Sequence, residues 1–344
     1  GNVEITLIDS DSKIQTKHFV FGFFDVIHSI PDTLGVLISS PNGRIATTGD
    51  FKFDLTPIGQ NSDYQKIAFM GAAGVDLLLS DSTNSQVRSF SISEKEVAQS
   101  INEIFTKTQS RIIIATFASN VYRVAQIVEA AIKVGRKIAV FGRSMDRVME
   151  IGLKMGTIKA KDKDFINAQQ LNYTPANKIC IICTGSQGES LAALSRIANG
   201  THRQIKIHPG DTVVFSSNPI PGNAQSVSGV VNKLTRLGAD VITNSPLNSI
   251  HTTGHASSEE QKLLLQLVKP KYFMPMHGEY KMLITHAQTA QEVGIPKENI
   301  FICSNGDALI LRKGEVLRSN TRIPADDIYV DGNDATGLST AVIK

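Results

Sequence analysis

The sequence predicts an α/β protein in which a β-rich beginning and end enclose an alternating strand-helix middle, one discontinuous unit carrying the other as an insertion. Three observations lead there. Residues 1–90 hold short apolar alternations separated by turn residues. From Ser93 onward apolar strands alternate with segments of helical period. After Asn244 the pattern changes again, to two helices among short strands.

In the first part, strands are expected at residues 3–7, 18–24, 34–39, 45–47 and 77–79, with Pro41-Asn-Gly43 as a hairpin turn. Ser93 precedes Glu94-Lys-Glu-Val-Ala-Gln-Ser-Ile, a serine cap ahead of apolar positions at helical spacing. Strands then follow at 111–115, 137–141, 179–183, 212–215 and 240–242, with helices at 121–134, 145–155, 190–198 and 222–237 between them. Such alternation argues for a parallel, doubly wound sheet with ligand loops at the carboxyl ends of its strands. The closing part predicts helices at 258–268 and 280–293 and strands at 272–274, 300–303, 308–311 and 316–319.

At 344 residues the chain is long enough for two domains. A net charge of +3 gives a faint basic bias, so nucleic-acid binding would have to come from a local groove and not from a uniformly cationic surface. Of the three cysteines, Cys180 and Cys183 form a lone Cys-x-x-Cys, a poor zinc knuckle that reads as buried strand thiols. Few cysteines, no signal-peptide pattern and no apolar run approaching ~20 residues predict a cytoplasmic protein without membrane contact. The strand-like alternation at the start and the apolar Ala341-Val-Ile-Lys344 at the end suggest termini separated from their neighbours.

The residues that carry chemistry stand in loops. His251-Thr-Thr-Gly-His255-Ala-Ser-Ser-Glu-Glu260 and Pro275-Met-His277-Gly-Glu279 are separated by one helix, while Asp25-Val-Ile-His28 and Thr48-Gly49-Asp50 end or follow strands. Imidazole nitrogens and carboxylate oxygens hold Zn²⁺ or Mn²⁺ while leaving positions for water, which makes His28, Asp50 and His277 candidate ligands. Taken singly, each histidine also fits a hydrogen-bonded structural role, and Asp50 also fits a cap on the Gly49 turn. Thr184-Gly-Ser186-Gln187-Gly188-Glu follows a strand and precedes a helix, so its N–H groups and the Ser186 and Gln187 side chains suit a phosphate cradle; a tight turn that needs glycine explains it equally well. His251, Thr253 and Arg143 are further candidates for backbone phosphates, with a solvated helix cap as the alternative for Arg143.

Six blocks together resemble the ribonuclease J family, in the β-CASP branch of the metallo-β-lactamase superfamily: His28-Ser-Ile-Pro-Asp, Thr48-Gly-Asp-Phe-Lys-Phe-Asp, Ser80-Asp81-Ser-Thr-Asn, Thr184-Gly-Ser-Gln-Gly-Glu, Thr253-Gly-His255-Ala-Ser-Ser-Glu-Glu and Met276-His277-Gly-Glu-Tyr. They keep their order over nearly the whole chain. The resemblance implies a partial metallo-β-lactamase αββα sandwich, residues 1–92 and 246–325, with an inserted doubly wound β-CASP domain, residues 93–245, and the start of a linker at 326–344. It also implies two Zn ions, or Mn or Mg, that activate hydroxide for in-line attack on a phosphodiester. His28 would ligate one ion, Asp50 bridge both and His277 ligate the second. Asp81 would orient and charge His255, leaving that imidazole to contact the scissile phosphate or protonate the departing 3′ oxygen.

In the family that the chain resembles, a histidine at the motif position matched by His277 is typical of RNA-acting members, so the resemblance implies single-stranded RNA as partner, cleaved endonucleolytically and 5′ to 3′, in an enzyme that assembles as a homo-oligomer or with a paralogue. The family's His-x-His-x-Asp-His cluster does not occur among these residues. The expectation is therefore a chain lacking an amino-terminal ligand segment and a carboxy-terminal assembly region, nearly inactive by itself. A non-catalytic RNA-binding platform and a small-molecule metallo-hydrolase are the alternatives.

Overall fold

A computed structural model of the chain describes residues 3–220, 222–245 and 248–327. Its first sheet opens with β1 (Lys13–Gln15), β2 (Val20–Asp25), β3 (Leu34–Ser40) and β4 (Gly43–Thr47), an antiparallel run. The β3–β4 turn is the expected one: Ser40 pairs with Gly43, whose φ of 142° suits glycine. Next come α1 (Tyr64–Ala73) and β5 (Leu77–Asp81), which lies parallel to β4.

The chain then leaves for a second sheet through α2 (Glu94–Lys107), β6 (Ile112–Ala115), α3 (Val121–Lys133), β7 (Lys137–Phe141), α4 (Arg143–Lys154), β8 (Ile179–Cys183), α5 (Ala193–Ala198), β9 (Thr212–Phe215), α6 (Ala224–Arg236) and β10 (Asp240–Thr243). All five strands are parallel, in the order β10-β9-β6-β8-β7. It returns through α7 (Ser258–Val268) to β11 (Tyr272–Met276), which completes the first sheet parallel to β5, and continues into α8 (Tyr280–Glu292) and the hairpin β12 (Leu309–Arg312) with β13 (Glu315–Arg318).

The second sheet is buried on both faces, as parallel strands require. Ile112 and Ile114 pack with Val97, Ile101 and Phe105 of α2 and with α3 and α4, whereas Ile113 and Ala115 meet α5 and α6. Cys180 and Cys183 are fully buried free thiols on opposite faces, and burial pushes both pKa values up to about 12. The first sheet packs one face on α1, α7 and α8 through Phe24, Ala46, Leu78 and Phe273.

The structure departs from expectation in several places. Residues 3–7 form no strand, and Val3, Ile5 and Leu7 are at least 82% exposed. Their alternation has no pairing partner among the described residues, and a strand exists only where a neighbour takes its hydrogen bonds. Residues 300–303 likewise form no strand beyond one bridge, Phe273 with Ile300. Helix α5 starts at Ala193, because residues 190–192 belong to the turn closed by Ala192 N–H on the Glu189 carbonyl. The expected linker lies outside the described residues from 328 onward.

Helix α1 is an addition. It buries only Ile67 and Met70 and has a glycine in its last turn, which weakens its periodic signal. That glycine allows the close approach to α7: a Cβ on Gly71 would stand 2.2 Å from the Leu267 carbonyl oxygen. Gly71→Ala should therefore cost ~1–3 kcal/mol of stability by forcing the helices apart. An unchanged urea midpoint would show that the contact is not tight.

Candidate metal centre

Strands β4, β5 and β11 run side by side in one direction, and β2 shares it, being antiparallel to β3, which is antiparallel to β4. Their carboxyl ends therefore lie at one edge of the sheet, where backbone groups turn away from the ladder and side chains converge. His28 follows β2, Asp50 follows β4, Asp81 ends β5, and His277 follows β11. The fifth residue, His255, reaches the same edge from the loop before α7. That loop is docked by Ala256 N–H on the Phe51 carbonyl, 2.6 Å, and by the Glu260 carboxylate accepting the Ser257 N–H at 2.9 Å.

Asp50, Asp81, His255 and His277 place one ligand atom each within 4.8 Å of one another. Asp81 is 1% exposed. Its Oδ2 accepts from His255 Nδ1 at 2.6 Å, and its Oδ1 accepts from the Thr83 N–H at 2.9 Å and the Thr83 hydroxyl at 2.8 Å. His277 Nδ1 lies 2.8 Å from the Thr83 hydroxyl and faces Asp81 Oδ1 at 3.2 Å and Asp50 Oδ1 at 3.3 Å, which sets the ring between two carboxylates. His277 holds a left-handed φ of 60°, a cost of ~1–3 kcal/mol for a non-glycine residue that the neighbouring contacts must offset. Gly278 holds a φ of 98° that a side chain would strain, and a Cβ there would stand 3.2 Å from the Thr83 Cα.

His28 stands beside this group, with Nε2 4.0 Å from Asp50 Oδ2. Its Nδ1 lies 2.8 Å from the Gly254 carbonyl oxygen. A carbonyl only accepts, so Nδ1 carries the proton and Nε2 keeps its lone pair for a cation. Gly254 is required there, since a Cβ would fall 2.6 Å from that nitrogen. Two carboxylates and imidazole nitrogens with defined tautomers fit a divalent cation of the zinc or manganese kind.

The electrostatics agree with this geometry. Burial opposes the Asp81 charge, yet the His255 bond and the Thr83 donors outweigh it and hold the pKa at about 2. Burial likewise opposes the His255 charge, and Asp81 overcomes it and raises the pKa. His28 shifts down, chiefly through burial, with His255 adding to the effect and the Gly254 bond opposing it.

Of the phosphate candidates, Ser186, Gln187, Gly188 and Arg143 make their contacts apart from this cluster, while Thr253 touches it. Ser186 and Gln187 are buried, and the Gln187 amide is fully engaged: it donates to the Asn218 carbonyl at 2.8 Å and accepts from Ile220 N–H at 2.8 Å. It braces the neighbouring loop instead of offering its side chain to a ligand. Gly188, at φ 74°, presses on α6, where a Cβ would meet the Ser226 backbone at 2.7 Å. Ser217 donates to the Ser186 carbonyl, Asn244 to Asn218, and His251 N–H to Asn244 Oδ1, so a hydrogen-bonded rim joins the β8 loop to His251.

His251 Nδ1 is buried without a partner among the described residues, and burial, then Arg123 and Lys52, push its pKa down to about 3. Thr253 accepts the His255 N–H at 3.0 Å. Arg143 is exposed in the first turn of α4, outside this rim. Sequence reasoning missed Thr83 and Gly254. The Asp-Ser-Thr turn was a local sign of the first, while nothing local marks the second.

Residues 109–234 match the family described as ribonuclease J, beta-CASP domain, and residues 244–303 match the Zn-dependent metallo-hydrolase RNA specificity domain. The chain is 51% identical to Ribonuclease J 1 of Streptococcus pyogenes serotype M3, over 98% of its own length and 60% of that protein. It is 41% identical to Ribonuclease J2 of Bacillus subtilis, over 98% of the chain and 60% of the relative, and 38% identical to Ribonuclease J of Mycoplasma pneumoniae, over 99% and 60%. The chain thus spans about 60% of the length of these relatives. A crystal structure described as a protein of unknown function from Enterococcus faecalis V583 superposes with a TM-score of 0.61 at 14% identity, covering 93% of this chain and 68% of that one, a likeness of fold alone.

Linkage sets the pH window of the Asp81–His255 pair in the metal-free protein. The lowered Asp81 pKa contributes stability above its ordinary value of 3.8, lost as pH falls toward 2; the raised His255 pKa contributes stability below 6.5, lost as pH rises through the folded-state value. Asp81→Asn removes the charge and leaves the burial, so the His255 pKa should drop below 6.5 in an NMR titration. A value that stayed above 6.5 would contradict the ion pair.

Proposed function

Because the chain belongs to the ribonuclease J family of metallo-hydrolases with a β-CASP domain, we propose that the protein hydrolyses phosphodiester bonds of single-stranded RNA at the metal centre, as an endonuclease and a 5′ to 3′ exonuclease. One observation carries this reading: two carboxylates and two imidazoles from separate segments converge within 4.8 Å at the strand ends. The chain spans about 60% of its relatives, so the activity is proposed for the whole protein.

In this reading His28, Asp50 and His277 would hold the metal, two ions of zinc or else manganese or magnesium. Metal bound there supplies positive charge that acidifies a water and neutralises charge developing on the phosphate. Asp81, itself buried, holds the His255 ring through Nδ1 and favours its charged form, leaving Nε2 to meet a phosphate oxygen or give a proton to the departing 3′ oxygen. Thr83 keeps Asp81 and His277 in register through one hydroxyl.

The charge distribution supports a polyanionic substrate. Residues 93–245, the proposed β-CASP domain, carry 19 of the 35 lysines and arginines and 11 of the 32 acidic residues, so the basic excess of the chain sits in this part. Ser186, Gly188, His251, Thr253 and Arg143 remain candidates for backbone phosphates, Ser186 and Gly188 through the β8 loop. No helix among the described residues is long and apolar enough to cross a membrane.

The test is cleavage of a 5′-monophosphorylated single-stranded RNA, with added Zn²⁺ or Mn²⁺, by a protein of the relatives' full length that contains this chain. His277→Ala should lower metal-dependent cleavage by more than ~100-fold, since even outer partners of a metal ligand cost up to that much, while RNA binding persists. Cleavage surviving that substitution would remove His277 from the metal centre. RNA bound but never cut would favour a non-catalytic platform.

A further inference from the structure

Lys52 stands two residues beyond Asp50, and its side chain is 2% exposed. Its ammonium meets three oxygens from three segments: the Ile92 carbonyl at 3.0 Å, Thr252 Oγ1 at 3.5 Å and Asp54 Oδ2 at 3.6 Å. Thr252 in turn donates to the same Ile92 carbonyl at 2.6 Å, and Asp54 Oδ2 accepts the Glu94 N–H at 2.8 Å. Residues 92–94 are where the chain leaves the first sheet for α2, and residue 252 is where it comes back. A compact ammonium with three donors suits such a junction of oxygens.

The main chain of Lys52 reaches the other way. Its N–H donates to the Ile27 carbonyl at 2.7 Å, next to His28. His28 Nδ1 donates to the Gly254 carbonyl, two residues from Thr252. The contacts close a ring that runs from Lys52 N–H through Ile27, His28, Gly254 and Thr252 back to the Lys52 ammonium.

We propose that Lys52 is a positioning residue of the metal centre: through its backbone on Ile27 and its ammonium on Thr252 it sets the distance between His28 and the Gly254–His255 loop, and so fixes the His28 tautomer and the place of His255. The inference rests on the reading of His28 and His255 as working groups of that centre. Lys52 touches neither substrate nor metal, and acts through the loop. The fit between loop and strand is close, because Gly254 admits no side chain against the His28 ring.

Two variants of the chain test it, Lys52→Met, which keeps length and loses the donors, and Thr252→Val, which keeps the lysine and removes the hydroxyl it grips. Nitrogen-15 NMR of the imidazoles reads the His28 tautomer, and visible absorption of added Co²⁺ reads metal affinity. In the parent chain His28 is expected to be protonated at Nδ1. Both variants should shift it to the Nε2–H form that a free imidazole prefers and weaken Co²⁺ binding at least tenfold while far-UV circular dichroism stays the same.

Retention of the Nδ1–H tautomer in both variants overturns the proposal, and so does a tautomer change without loss of Co²⁺ affinity, which would make Lys52 a packing residue. If Lys52→Met does not fold, Thr252→Val decides alone. Where the chain alone takes up no Co²⁺, the same variants are read in a protein of the relatives' full length that contains it; no uptake there defeats the metal reading itself, and the tautomer then decides the role of Lys52 independently.

Discussion

A carboxylate 1% exposed remains charged at Asp81 only because donors surround it. Removing an ion from water costs several kcal/mol unless hydrogen bonds and opposite charge replace the lost solvent. Here Thr83 offers its N–H and hydroxyl to Oδ1, His277 approaches the same oxygen, and His255 takes Oδ2. The same bonds orient both histidines. The left-handed backbone at His277, the missing Cβ of Gly278 and the docking of the His255 loop all serve to bring those donors to one buried acceptor.

The parallel strands β4, β5 and β11 make this possible. Parallel pairing ends β5 and β11 at one level, Asp81 beside Met276, and β4 two residues short of it, so Asp50, Asp81 and His277 leave the sheet together without long loops. Rigid elements hold functional groups more tightly than loops do. His255 has no strand behind it, and buried polar contacts stand in for one. The Glu260 carboxylate accepts from Phe53 N–H, Ser257 N–H and both the N–H and hydroxyl of Ser91, joining the Asp50 loop, the α7 start and the segment before α2.

The passage between the two sheets is polar as well. Arg123 is fully buried, and its guanidinium joins Glu94 of α2, Ser216 beyond β9 and the Ile250 carbonyl before His251. Five planar donors suit such a junction, where hydrophobic side chains would pack without specifying angle. Arg123 thus ties the start of α2 to the end of β9 and, through the Ile250 carbonyl, to the segment that returns toward the first sheet. The His251 loop leaves this junction and enters the metal centre.

Much of this was legible in the sequence. Ser93 before an acidic first turn with Val97, Ile101 and Phe105 at helical spacing gave α2, and Ile179-Cys-Ile-Ile-Cys183 gave a strand buried on both faces, because capping and periodicity are local properties. His28, Asp50 and His277 stood out as ligand types at strand ends and His255 by its loop, while Asp81 entered only through the resemblance to ribonuclease J. The rest depended on partners far away in the chain. Residues 3–7 alternate like a strand but have no neighbour to pair with among those described, and the close seat of α1 on α7 at Gly71 depends on a helix distant in the chain. Gln187 suits a phosphate on paper, yet Asn218 and Ile220 occupy its amide. The sequence by itself determined the local elements and the kinds of ligand atom, since backbone propensity and donor chemistry belong to each residue. Tertiary structure alone decided which histidine nitrogen is free, which carboxylate is buried and that Lys52 is enclosed, since those depend on contacts between residues up to 226 positions apart.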